Sequence, residues 1–175
     1  MTVCVLCLRE EAHSFLIELV HKKKDQGQAC SAVVNVLSSK KNSPRDLMEV
    51  YSLSAVRNLK NDARLKPLYN LLHILYEGDV AAYKKFLEDD ENAQSVEDLS
   101  LDKSNIMFKI QQLTLCDLGR DQPLQKLDEL QEKLDCDSLF ELERVVQAAQ
   151  QQGLLEALFD FSNNTLRLQY LFVFF

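Results

Sequence analysis

The last third of the chain changes from helical to β-strand periodicity, and this change most constrains its fold. Leucines recur at three- and four-residue spacing after Pro123, which places them on one face of a first helix. These leucines are Leu124, Leu127, Leu130 and Leu134. Asp137 or Ser138 is placed to cap a second helix, and Glu141 has the spacing of a capping box. Gly153 stands where that helix should end in a left-handed residue.

Two β-prone runs follow, at residues 154–161 and 165–175. Residues 162–164 (SNN) suit a tight hairpin, because asparagine tolerates the positive φ that such turns need. Helix, turn, helix and hairpin is the order of a winged helix. The second run alternates and then becomes continuously apolar, so we expect it to form an exposed edge that a partner covers.

The first 120 residues predict a stack of short antiparallel helices, since the whole chain has only four glycines and three prolines. Residues 88–92 (EDDEN) are expected to form an acidic, solvent-facing loop, and Gly119 to close the last long helix. The sequence therefore predicts a mainly α protein with a helical-repeat subdomain at 1–120 and a winged-helix subdomain at 121–175. The other predicted helices lie at about 10–24, 28–38, 44–51, 54–59, 61–76, 80–87 and 104–118.

Charge is distributed unevenly along the chain. The formal net charge is −7, and residues 121–175 hold 10 acidic against 4 basic residues. An acidic second helix would face the phosphate backbone with repulsion, which disfavours the alternative of a winged-helix nucleic-acid-binding protein. No apolar run is long enough to span a membrane, and the five cysteines form no disulfide framework. We expect a cytoplasmic and nuclear protein.

The sequence offers little for catalysis. Cys4 and Cys7 have metal or redox spacing, but no second pair of ligands accompanies them, so a zinc or thiol centre there is the weaker alternative. His13 and His21 are isolated, and His73 is interpreted as a histidine at the edge of the core. Nucleophile elbows, phosphate loops and HExxH are absent from the sequence. We predict no enzyme activity, cofactor, metal or small-molecule substrate.

Several stretches resemble the PCI domain, a module of scaffold subunits in the proteasome lid, the COP9 signalosome and translation initiation factor 3. They are residues 142–149 (LERVVQAA), 153–155 (GLL), 159–163 (FDFSN) and 166–168 (LRL). Within the family, the front of the chain is most similar to the seventh subunit of the COP9 signalosome. The residues of that similarity are 15–16, 32–37, 46–50, Val56, Leu59 and 69–83. The proteasome lid and initiation factor 3 remain alternatives, although the latter's related subunit has a longer helical front.

The resemblance implies a non-catalytic scaffold in a complex that removes a ubiquitin-like modifier from cullins. Its partners would be other PCI subunits, bound edge to edge through the winged helix. The seventh subunit has a helical tail after its hairpin, whereas this sequence ends in an apolar run at Phe175, which predicts a shortened or divergent chain. We predict that partners contact Leu139, Leu142, Phe159, Phe161, Leu166, Leu168 and Tyr170.

Overall fold

The computed structural model of the chain describes residues 26–39 and 44–170. The expected helix at 10–24 and the end of the last β run lie outside these residues. The helical part comprises α1 (Gln26–Ser38), α2 (Pro44–Ser52), α3 (Ser54–Arg57, continued by a 3-10 turn, Asn58–Asn61), α4 (Lys66–Glu77), α5 (Val80–Glu88), α6 (Asp90–Asp98) and α7 (Lys103–Asp121). The winged helix comprises β1 (Leu124–Lys126), α8 (Leu127–Leu134), α9 (Leu139–Gln151), β2 (Leu155–Asp160) and β3 (Thr165–Tyr170).

This architecture confirms the predicted fold class, a mainly helical stack followed by a winged helix with a small sheet. Local end signals account for several boundaries. Gly78 adopts a left-handed φ of +64° at the end of α4, and the Asp79 carboxylate accepts a hydrogen bond from the Ala82 N–H at 2.9 Å to begin α5. At the hairpin tip, Asn164 has a φ of +54°, as the asparagine-rich turn predicts.

The expected acidic loop at 88–92 is wrong, because a helix begins there. Asp89 caps α6 by accepting a hydrogen bond from the Asn92 N–H at 3.0 Å. Asp90 and Glu91 occupy the first turn, where carboxylates offset the positive end of the helix dipole. The acidic run is therefore a helix start.

The three strands form an antiparallel sheet in the order β1-β3-β2, and β3 is central. A helix beginning at Pro123 is therefore wrong, since the next three residues form β1. Two backbone hydrogen bonds flank that pairing, from the Leu168 N–H to the Pro123 carbonyl and from the Leu127 N–H to the Asn164 carbonyl. Pairing of β1 satisfies the side of β3 that faces away from β2, so β3 is not the exposed edge that the sequence predicts.

Two apolar cores lie along the chain, and α7 contributes to both. Ile106 and Ile110 are buried in the first core, with side chains from α1 to α6. Leu115 and Cys116 are buried in the second core, with the winged helix. The division of the chain near residue 120 stays a prediction, and the two cores meet inside α7.

Gly119 does not end α7; it is buried in the last turn of the helix, against β3. A Cβ atom at this position would lie 3.0 Å from Leu168 Cβ and 3.2 Å from Leu168 Cδ1. Glycine therefore allows the sheet to approach the helix backbone closely.

Lys109 links α7 to the end of α1. Its Nζ donates hydrogen bonds to the carbonyls of Val36 at 2.5 Å and Leu37 at 3.1 Å. The Asn105 amide donates to the carbonyls of Leu37 and Ser38, both at 3.4 Å. Burial lowers the pKa of Lys109 from 10.5 to about 8.

Replacement of Gly119 by alanine should lower the free energy of unfolding by about 1 kcal/mol. Overpacking against Leu168 costs about 1–3 kcal/mol, and the better helix propensity of alanine recovers up to about 1 kcal/mol. Urea denaturation measures the change. Arg120→Ala, on the exposed side of the same turn, is the control and should stay within about 0.5 kcal/mol of wild type. A Gly119→Ala variant more stable than wild type would contradict the close approach.

The contribution of Lys109 to stability should increase with pH between about 8 and 10.5. Its pKa is about 8 in the folded chain and 10.5 without burial, so the unfolded state binds more protons across this window. The unfolding free energy of wild type minus that of Lys109→Met should therefore rise from pH 7.5 to 10.5. Lys85→Met, at an exposed site on α5, gives the background. A difference that is flat or falls with pH refutes the assignment.

Candidate docking surface

The winged helix is built on a well-capped α9. The Ser138 hydroxyl accepts a hydrogen bond from the Glu141 N–H at 3.2 Å, and the Glu141 carboxylate accepts one from the Asp137 N–H at 2.8 Å. This confirms Ser138 as the cap. Gly153 follows the helix with a φ of +69° and directs the chain into β2. The buried face of α9 consists of Leu142, Val145, Val146 and Ala149.

Three of the predicted partner contacts are core residues. Leu142 and Leu166 are 0% exposed, and Leu168 is 2% exposed. Leu142 lies on the buried face of α9, and Leu166 and Leu168 lie on the face of β3 that packs on the second core. A docking partner has no access to them while the subdomain is folded, so the prediction of these three as contacts is corrected.

The other four predicted contacts have different positions. Leu139 and Phe159 are partly buried against the second core. Phe161 is 59% exposed, and its ring stacks on that of Phe159 with centroids 5.4 Å apart. Tyr170 lies opposite Leu155 in the register of β2 and β3, and its side chain lies outside the described part of the chain. Contact of these four with a partner stays a prediction.

Three exposed apolar side chains of the same subdomain were missed by the sequence analysis. They are Leu124 at 56%, Leu158 at 67% and Phe140 at 70% exposure. Strand parity could have identified Leu158, because its neighbours Ala157 and Phe159 both face inward. The helical period places Leu124 on the buried face of a helix, so it does not predict that this side chain is exposed.

Strand β2 forms a free edge of the sheet. The Leu168 N–H donates to the Pro123 carbonyl, so the even-numbered residues of β3 direct their polar groups toward β1 and the odd-numbered ones toward β2. The register then gives Glu156, Leu158 and Asp160 the backbone bonds to β3. The described residues provide no further strand beyond β2.

The outward backbone groups of β2 belong to Leu155, Ala157 and Phe159. The Gln150 side chain confirms this direction, because its Nε2 donates to the Ala157 carbonyl at 3.2 Å. This contact covers one acceptor in the middle of the edge. An incoming strand would have to displace the Gln150 amide to pair along all of β2.

The charges on α9 do not suit nucleic acid. Arg144 is the helix's single basic residue, and its guanidinium lies over the Phe108 ring, 5.8 Å from the centroid. Glu141 serves the helix cap, and Glu143 adds a second carboxylate. A helix with one cation and two carboxylates is a poor match for the phosphate backbone.

The two buried thiols, Cys116 and Cys136, are poor nucleophiles. Burial raises the pKa of Cys116 and of Cys136 to about 12, so both are protonated at neutral pH. Cys4, Cys7, His13 and His21 lie outside the described residues. Within residues 26–39 and 44–170, His, Cys, Asp and Glu do not form a group of three or more that could hold a metal ion. The described helices include none long and apolar enough to cross a membrane.

His73 is a surface residue, which corrects its interpretation as a histidine at the core edge. Its side chain is 47% exposed, and Nδ1 lies 3.7 Å from a Glu77 carboxylate oxygen. The ring stacks beside Tyr51, whose hydroxyl lies 3.1 Å from Nδ1. This arrangement joins α4 to α2, and the Tyr69 ring also lies beside that of His73, with centroids 6.4 Å apart.

Comparison with known proteins gives one informative similarity. The chain is 32% identical to "Eukaryotic translation initiation factor 3 subunit M" of Nematostella vectensis over 159 residues. The alignment covers 86% of this chain and 39% of that protein, so the chain spans about two fifths of its relative's length. No protein-family model matches the sequence.

Aspartate substitutions at Leu168 and Leu158 should distinguish a buried site from an exposed one. Leu168→Asp places a charge in the second core and should lower the unfolding free energy by at least about 3 kcal/mol, because core leucines and buried charges both carry large penalties. Leu158→Asp, at a site 67% exposed, should change it by less than about 1 kcal/mol. Thermal and urea unfolding measure both variants. Equal stability of the two would show that Leu168 is not buried in the second core.

Proposed function

We propose that this chain is a non-catalytic PCI-type scaffold subunit of a multi-subunit complex, and that the complex is translation initiation factor 3. The fold supports the PCI part, because a helical stack followed by a winged helix is the expected arrangement. The similarity to subunit M supports the choice of complex and favours it over the signalosome. A place in initiation would make the cytoplasm the site of action.

The observation that carries the proposal is the free edge of β2. An edge strand with unpaired backbone groups is a template for a strand of another chain. Two apolar side chains in or directly after β2 are exposed, Leu158 at 67% and Phe161 at 59%. We infer that a neighbouring subunit adds a strand to β2 and extends the three-stranded sheet across the interface.

The residues have separate roles in this docking. Leu155, Ala157 and Phe159 would supply backbone N–H and carbonyl groups to the incoming strand. Gln150 would release the Ala157 carbonyl when the partner arrives. The remaining acidic surface would discourage pairing with other acidic edges and favour a partner with basic residues.

Co-purification of the tagged full chain from cells, followed by mass spectrometry, tests the assignment. Subunits of initiation factor 3 should be recovered at constant ratios. Recovery of signalosome subunits in place of them would assign the chain to the signalosome, whose seventh subunit its front residues resemble. A chain that elutes alone as a monomer would exclude the scaffold role.

A pair of proline substitutions tests edge pairing. Ala157→Pro removes an N–H that points to the free edge, so the sheet should persist while recovery of the neighbouring subunit falls by about tenfold or more. Leu158→Pro is the matched control. It removes an N–H directed at β3, so the carbonyl of its partner Arg167 loses a hydrogen bond, and the free energy of unfolding should fall by about 1–3 kcal/mol. Circular dichroism reports folding and quantitative pull-down reports binding. Normal pull-down by a folded Ala157→Pro variant would rule out strand addition at β2.

A further inference from the structure

The outer face of the sheet is a surface separate from the β2 edge. Side chains of Leu155, Leu166 and Leu168 cover the inner face and are buried in the second core. Successive residues of a strand point to opposite faces, so Leu124, Leu158 and Arg167 are on the outside. Both leucines are more than half exposed.

These three residues form a row across the sheet. Leu124 of β1 is paired with Arg167 of β3, which is paired with Leu158 of β2. Adjacent strands lie about 4.8 Å apart, so the two leucine Cα atoms are separated by about 10 Å with the arginine between them. We call this the Leu-Arg-Leu row.

Polar rows flank the Leu-Arg-Leu row on both sides. Toward the hairpin tip, Lys126, Thr165 and Asp160 are paired across the strands. The ammonium of Lys126 lies 3.3 Å from the Glu129 carboxylate, and the Asp160 carboxylate accepts two hydrogen bonds from Asn163. On the other side, Gln169 is paired with Glu156. The apolar strip is therefore one row wide.

Arg167 lacks an ion pair within 4 Å in the described part of the chain, although the surrounding subdomain is acidic. Lys126 is paired with Glu129, and hydrogen bonds from Asn163 lower the pKa of Asp160, with a smaller contribution from the charge of Arg167. An exposed guanidinium held between two leucines is placed to bind a carboxylate at the centre of an apolar contact.

We propose that the Leu-Arg-Leu row binds an amphipathic helix of a partner protein that carries one carboxylate on its apolar face. Seven helical residues rise by about 10.5 Å, which matches the spacing of the two leucines. Apolar residues at positions i and i+7 would contact Leu124 and Leu158, and Asp or Glu at i+3 or i+4 would pair with Arg167. All these positions share one helix face.

Other occupants fit less well. Nucleic acid and anionic membranes would meet one arginine among carboxylates, and residues 121–175 carry 10 acidic against 4 basic residues. A partner strand needs backbone groups at a sheet edge, whereas the row presents side chains on a face. The charge and the one-row width therefore favour a helix.

A designed peptide tests the row directly. The probe is a fluorescent, alanine-based helix of about 20 residues with leucine at i and i+7 and glutamate at i+3, titrated into the full chain to ~1 mM. Fluorescence anisotropy should show saturable binding to wild type. Binding should weaken by about tenfold or more in Arg167→Glu and in the double variant Leu124→Ser, Leu158→Ser.

Charge reversal supplies the decisive comparison. A second peptide with lysine at i+3 should bind Arg167→Glu and not wild type. Phe140→Ser, at an exposed site on α9, and Ala157→Pro, at the β2 edge, should both bind the glutamate peptide as wild type does. The second control separates this surface from strand addition, so either proposal can fail alone. Absence of saturable binding, or equal binding of the two peptides to wild type, overturns the proposal.

Discussion

Helix α7 has to serve two cores at once, and the arrangement of the chain follows from this requirement. Two buried glutamines lie between its contacts with the helical stack and those with the winged helix. The Gln111 amide donates to the Leu134 carbonyl at 2.8 Å, and Gln112 accepts a hydrogen bond from the Gln152 amide at 3.1 Å. Buried amides require such partners. They hold the ends of α8 and α9 against α7, and the Lys84–Asp135 ion pair at 2.8 Å adds a contact at the surface.

Features that obey local rules could be predicted from the sequence. The cap at Ser138, the left-handed glycines at 78 and 153 and the turn at Asn164 each depend on a few neighbouring residues. The strand at 124–126 could not, because Leu124 fits the helical period of the leucines that follow it and only pairing with a strand about 40 residues later makes the segment extended. The role of Gly119 likewise depends on Leu168, which is distant in sequence.

The candidate docking surface shows the same division. Alternation along β3 correctly separates Leu166 and Leu168 from Arg167, but it does not say which face is buried or which strand is central. In the structure the face that carries the two leucines packs on the second core, and Leu124 and Leu158 are exposed on the opposite face. A prediction of partner contacts from apolar character alone therefore selects core residues as well as surface residues. The acidic character of the subdomain needed no structure, because charge can be counted from the sequence.

Strand β1 also has a consequence for assembly geometry. It is formed by the segment that connects the helical stack to the winged helix, and the buried Gln125 amide bonds back to the Leu118 and Gln122 carbonyls. The connector is thus part of the sheet that carries the free edge, and rotation about it would break β-sheet hydrogen bonds. This pairing fixes the angle between the helical stack and the free edge, and that angle would set the curvature of any assembly formed through the edge. Changes at residues 119–123 would alter that curvature while leaving Leu124 and the β2 edge unchanged.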